Sequence, residues 1–229
     1  MEHMKNLSIG SSTIPFLFCE GKGTPITLFS KYESYLENIE NNIQEEEIIY
    51  NEAQKKGIEY EKYIIEKHEK LMNIKHEEGG VWNHQKGEKF GFLYKLTVAK
   101  PDAKFLQNRV FIPFEAKHTS KITSIDKIDR AHILQVMFQI MCMERNEEKI
   151  PYGHYMATTV DEVTCEVVEP IVWARIYRND ELIDKMRELI LLFYHDYVFK
   201  RKTPPASLIS KDWVFPDVIV EDLFKSSNF

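Results

Sequence analysis

No two cysteines in this chain stand close enough together to form a CxxC unit. Cys19, Cys142 and Cys165 are the whole complement, and their spacing argues against a zinc ribbon or a four-cysteine iron–sulfur site. The plain reading is three buried, reduced thiols in an intracellular protein. Long hydrophobic runs are missing as well. The longest, from about Leu189 to Tyr194, is far short of the ~20 residues that a membrane span requires. No N-terminal segment shows the basic, apolar, small-residue order of a secretory signal. Neither an internal repeat nor a Pro-, Gly- or Ser-rich linker divides the chain, so its 229 residues read as one domain. Within it, about 1–78 is a helical N-terminal part, about 79–205 the core, and 206–229 an irregular tail. A surplus of positive charge is also lacking. With a formal net charge of −6, any grip on nucleic acid must come from a local basic surface on an acidic body.

What is present suits a folded globular protein: 43% hydrophobic and 29% charged residues leave ample material for one core. Residues 33–56 carry Leu36, Ile39, Ile43 and Ile49 at roughly helical spacing. A second helix is predicted from about Glu59 to Ile74, with Ile64, Ile65, His68, Leu71 and Met72 as its apolar stripe. Gly57, between the two, reads as a break or a close backbone contact. Beyond Gly79-Gly80 the texture becomes aromatic and β-branched. Phe90 to Val98 reads as a strand, Lys100-Pro101-Asp102-Ala103 as the start of a turn, and Arg109 to Lys117 as the returning strand. Ser124 to Arg145 reads as a mostly buried helix, apolar almost all round. Two more strands are expected at about 152–160 and 164–173, with Asp161-Glu162 as the turn, and Asp180 as cap of a last helix to about Phe199. The order predicts an α/β fold, a mixed sheet flanked by helices.

Chemistry concentrates in Phe114-Glu115-Ala116-Lys117. Strand side chains alternate, so Glu115 and Lys117 share one face while Phe114 and Ala116 take the other. A carboxylate can hold a hard divalent cation through oxygen, and a neighbouring ammonium can orient an attacking water or neutralise developing charge. Phosphodiester hydrolysis needs that pairing, although a lone ExK also arises on any exposed strand. Glu61, near the start of a helix, adds a second carboxylate. Gln135 lies in the buried helix, where its amide either faces the site or belongs, with Gln139, to a polar stripe meeting solvent. His84, His118, His132 and His154 are scattered without i, i+4 pairing and read as packing or surface residues. The same holds for Trp82, Trp173 and Trp213. Lys200-Arg201-Lys202 reads as a solvated loop that could touch phosphates.

The ordered segments Gly10-Ser11-Ser12, Thr24-Pro25, Gly57-Ile58-Glu59-Tyr60-Glu61, Glu115-Ala116-Lys117, Gln135-Val136 and Phe193…Tyr197-Val198 with Pro204-Pro205 resemble the lambda exonuclease/YqaJ-type viral recombinase family of the PD-(D/E)XK nuclease superfamily. The resemblance spans about residues 8–205. It implies a restriction-endonuclease-like core and a metal-dependent exonuclease of 5′→3′ type, working on double-stranded DNA ends in phage or viral recombination. By position it makes Glu115 the metal-binding acid, with the Ala116 carbonyl beside it, Lys117 the catalytic lysine, Glu61 the helix acid and Gln135 the family glutamine. Ser11 or Ser12 matches a serine near the DNA end. Mg²⁺ or Mn²⁺ is the implied cofactor. The implied partners are a single-strand annealing protein and further copies of the chain in a ring; no membrane is involved. One departure stands out. The family's first-strand Asp faces the ExK acid, and the hairpin register expected here puts Tyr94 in that slot, leaving Asp102 in the turn. Either Asp102 reaches the metal with Glu115 and Ala116 by a bulge or a different register, or Glu61 and others substitute for it, or the site is degenerate and the protein is a DNA- or protein-binding scaffold.

Overall fold

The computed structural model describes residues 8–41, 51–84, 93–145 and 148–226. Eight strands run β1 (Ile9–Gly10), β2 (Glu77–Glu78), β3 (Thr97–Val98), β4 (Ala103–Gln107), β5 (Val110–His118), β6 (Tyr152–Val160), β7 (Val167–Tyr177) and β8 (Val220–Asp222). The helices are α1 (Ile14–Leu17), α2 (Pro25–Glu40), α3 (Glu52–Met72), α4 (Arg130–Met143), α5 (Asp180–Leu192), continued by a π turn at Phe193–Val198, and α6 (Leu223–Ser226). Six strands form one sheet in the order β2-β4-β5-β6-β7-β8, while β1 and β3 pair separately and in parallel. Only β5 and β6 are parallel within the large sheet. A parallel pair needs a crossover, and α4 supplies it.

The mixed sheet flanked by helices is the α/β arrangement read from the sequence. Several boundaries differ. The helix pattern over 33–56 falls partly on residues 42–50, outside the described residues, as does Phe90–Phe92 of the expected first strand. The helix expected from Glu59 starts at Glu52, where Asn51 accepts from the Gln54 amide at 2.9 Å and the Gln54 side chain accepts from the Asn51 amide in return. Gly57 is therefore inside α3, neither a break nor a close contact, and a Cβ there would meet nothing within 4 Å. Asn179, not Asp180, caps α5 through the Leu182 amide. Asp161 accepts from Val163 and Thr164 amides, so the turn before β7 is longer than Asp161-Glu162 and the strand starts at Val167. Cys142 alone is buried; Cys19 is exposed and Cys165 half-buried.

The largest correction concerns the hairpin. The expected turn at Lys100–Ala103 runs instead into β4, and the reversal occurs at Asn108-Arg109, whose φ values are 49° and 70°. Two consecutive left-handed residues between Gln107 and Val110, which pair directly, make the tight reversal whose twist suits a two-residue hairpin. Asn tolerates this backbone, but Arg gives no signal for it, so the sequence hid the turn.

The sheet separates two apolar layers. On one face Tyr60 and Ile64 of α3 pack with Ala103, Phe114, Ala116, Met156 and Trp173. On the other, α4 and α5 cover Tyr155, Ala157 and Ala174 in the larger core. Close approach of α4 relies on Gly153, where a Cβ would sit 2.5 Å from Val136. Among the described residues no helix is long and apolar enough to cross a membrane.

Candidate active site

Strand β5 is paired on both edges, antiparallel to β4 and parallel to β6. Its alternation buries Phe114 and Ala116 against α3 and turns Glu115 towards α4. Glu115 is 4% exposed, so its carboxylate needs partners. It has two: the Lys117 ammonium on Oε1 and the Gln139 amide, which donates to Oε2 at 2.5 Å. Gln139 is itself fully buried.

The register places Ala103 opposite Phe114, which puts Asp102 across from Glu115. Asp102 Oδ2 accepts the Ala116 amide hydrogen at 2.7 Å. Tyr94 is not on this hairpin; its backbone belongs to a single 3₁₀ turn, Leu93–Lys95. The slot expected to hold Tyr94 thus holds Asp102, and the ground for reading the site as degenerate goes with it. The physical reason is the shifted turn: moving the reversal to Asn108-Arg109 brings Asp102 alongside the strand it was expected to precede.

Glu61 completes the cluster from α3. Burial raises its carboxyl above the ordinary value, Lys117 opposes the rise and Glu115 adds to it. Burial and then Glu115 push Asp102 well above the usual aspartate range, with Lys117 in opposition. Burial alone would pull the Lys117 ammonium down, but Glu115, Asp102 and Glu61 hold it above the ordinary lysine value. Three acids thus surround one base.

Gln135, singled out in the sequence, lies one turn before Gln139 on α4 and so projects from a neighbouring part of the same face. Its Oε1 is buried without a partner. The amide that touches Glu115 is that of Gln139, which the sequence offered only as a member of a polar stripe. Full burial of a glutamine two turns into an apolar helix was the available signal. Ser11 and Ser12 sit in the turn between β1 and α1, with the Ser11 hydroxyl buried and unpartnered. No hydrogen bond joins either of them to Glu115 or Lys117 among the described residues. His132, read as a packing or surface residue, also lies near the cluster: Lys117 and Glu115 both bias its titration.

A hard divalent cation takes oxygen donors and leans on one or two carboxylates. Among the described residues no three His, Cys, Asp or Glu side chains are arranged as a ready metal cage. The Glu115 oxygens are occupied by Lys117 and Gln139, and one Asp102 oxygen by a backbone amide. The donor set nevertheless fits such an ion. Burial and the neighbouring Glu115 disfavour the charge on Asp102, and a cation at these oxygens would offset what Lys117 only partly relieves.

No family model and no curated relative matches the chain. Solved structures do. LHK-Exo in complex with dAMP superposes with a TM-score of 0.61 at 16% identity, covering 86% of this chain and 91% of that one. The alkaline exonuclease LHK-Exo from Laribacter hongkongensis gives 0.60 at 17% identity, covering 87% and 94%. A phage-related exonuclease from Haemophilus somnus 129PT gives 0.58 at 12% identity, covering 86% and 96%. The likeness extends over nearly the full length of each, in agreement with the resemblance drawn from the sequence: this chain has the fold of the alkaline and phage-related exonucleases.

Proposed function

We propose that this protein is a metal-dependent DNA exonuclease acting on double-stranded DNA ends, of 5′→3′ type and serving phage or viral recombination. The observation that carries the reading is the convergence of Asp102, Glu115 and Lys117 at one end of the hairpin, on the fold of solved exonucleases. Asp102 and Glu115 would hold Mg²⁺ or Mn²⁺, with the Ala116 carbonyl at the same place. The ion would supply Lewis acidity at the scissile phosphate and a water of lowered pKa. Lys117, kept protonated by three acids, places a positive charge where the attacking water and the phosphate meet, and can neutralise charge that develops there. Gln139 fixes Glu115 from behind, so the carboxylate is preorganised rather than free to rotate. Glu61 tunes the charge of the cluster, and Gln135 with Ser11 and Ser12 offers polar groups to the DNA. Assembly into a ring, and cooperation with a single-strand annealing protein, belong to the same reading.

The test is Mg²⁺- or Mn²⁺-dependent release of nucleotides from linear duplex DNA, with Lys117→Ala as control. Release by the parent protein and loss in the variant are expected. No release under either metal, or equal release by Lys117→Ala, would overturn the proposal.

A further inference from the structure

The α4 face that meets Glu115 carries a third polar side chain beyond the two glutamines. His132 precedes Gln139 by two helical turns, so both project from nearly the same side. Its Nδ1 lies 2.8 Å from the Tyr155 hydroxyl. Tyr155 is the parallel neighbour of Glu115 across β5 and β6, is fully buried, and has no other hydrogen-bond partner among the described residues.

That isolation decides a proton. Burial pushes the Tyr155 phenol far up, so it keeps its hydrogen. A buried O–H left undonated forfeits the hydrogen bond it made to water, and His132 Nδ1 is the acceptor within reach. The phenol therefore donates to Nδ1. A neutral imidazole carries one hydrogen, which must then sit on Nε2. Burial, with Lys117 adding to it and Glu115 opposing, lowers the His132 pKa to about 4, so the ring is neutral near pH 7. Nε2 has no protein partner among the described residues, and His132 is only half-buried.

We infer that His132 is a DNA-contacting residue that donates its Nε2–H to a phosphate oxygen of the strand held at Glu115 and Lys117, and that Tyr155 is a positioning residue that sets the tautomer. The assignment deepens the nuclease reading and rests on it for the identity of the ligand. A neutral donor adds a directed hydrogen bond next to three acids without competing with a cation for them. Tyr155 is read in the sequence only as part of an apolar strand, and His132 only as a scattered histidine, because their partnership exists across α4 and β6.

The first measurement needs no activity. Side-chain ¹⁵N spectra of the parent protein, with His132 assigned by its disappearance in His132→Gln, should show the Nε2–H tautomer. Tyr155→Phe should shift that signal towards a tautomer mixture. The second measurement is affinity for a fluorescently end-labelled duplex, with Ca²⁺ replacing Mg²⁺ to hold back hydrolysis. His132→Phe should bind roughly ten- to a hundred-fold more weakly, the scale of a hydrogen bond to a charged group. His132→Gln, which offers an N–H near the Nε2 position, should restore most of the loss. An Nδ1–H tautomer in the parent protein, or full affinity in His132→Phe, overturns the inference. Failure of the nuclease reading looks different: no nucleotide release with Mg²⁺ or Mn²⁺ from the parent protein, while the spectra and the affinity series stand.

Discussion

On acidification from pH 7 to pH 5, two buried histidines, His68 and His154, should together remove about 4 kcal/mol of folding stability. His68 Nδ1 lies 3.0 Å from His76 Nε2, and His68 Nε2 lies 2.9 Å from His154 Nδ1. His68 also stacks on Phe114 with ring centroids 4.3 Å apart, so the chain of rings joins α3 to the strand that carries Glu115. Burial, reinforced by His154 and His76, lowers His68 to about 2. Burial, reinforced by Arg175 and His76, lowers His154 to about 3. Both stay neutral in the folded protein throughout pH 7 to 5. In the unfolded chain each has an ordinary pKa of about 6.5 and takes up a proton over that interval. The unfolded state therefore binds more protons as pH falls, and stability is full above about pH 6.5 and lost progressively below it. Integration over the interval gives about 2 kcal/mol for each ring, against a typical total of about 5–15 kcal/mol for a domain. The result hardly depends on the folded-state values, provided both lie below pH 5. Urea unfolding at the two pH values measures it, with His68→Phe as control, since that variant should lose about 2 kcal/mol of the pH dependence. A fall of less than about 1 kcal/mol in the parent protein would mean that the rings are charged when folded, and the neutral chain described here would be wrong.

Three further outcomes follow from particular contacts. Gln139→Leu leaves Glu115 Oε2 buried without its donor, which should cost about 1–3 kcal/mol of stability by chemical denaturation and slow nucleotide release. Gly57→Ala should stabilise the protein by roughly 0.5–1 kcal/mol, because the position is helical and a methyl group meets open space; any destabilisation refutes its placement inside α3. Asp102→Asn removes the charge that opposes Glu115, so the melting temperature without metal should hold or rise. The rise in melting temperature that Mn²⁺ is expected to give the parent protein should shrink in the variant, since an ion that binds only the folded state stabilises by mass action.

The elements whose patterns are carried by many residues were legible in the sequence. Strand β5 announced itself by alternation, and α4 by apolar residues on nearly every side. Phe114 and Ala116 fell to the core and Glu115 and Lys117 to the site, as period-two reasoning requires. Local signals failed where one or two residues carried the decision. β4 is five residues long and opens directly after Pro101-Asp102, a pair that favours turns, while the true reversal uses Asn108-Arg109 without a glycine. A slip in the turn then displaced Asp102 and installed Tyr94 in its place. Glutamine assignment failed for another reason. Gln135 and Gln139 are one turn apart on the same helix face, and only the lateral position of β5 selects Gln139 as the partner of Glu115. The histidine chain was invisible because its members lie on α3, on the segment after it and on β6, and they meet only in three dimensions.

The pairing of β4 with β5 has a consequence for how preparations of this protein behave. A molecule whose β5 sits one residue out of step would turn Glu115 and Lys117 into the α3 layer and Phe114 and Ala116 towards α4. It would also carry Asp102 away from the Ala116 amide. The same error that ruins packing therefore dismantles the charged cluster, leaving no partially correct hairpin with a working site. On the proposed nuclease function, nucleotide release per mole of protein then becomes a count of correctly registered molecules, and refolding yield can be followed by it as directly as by any spectroscopic signal.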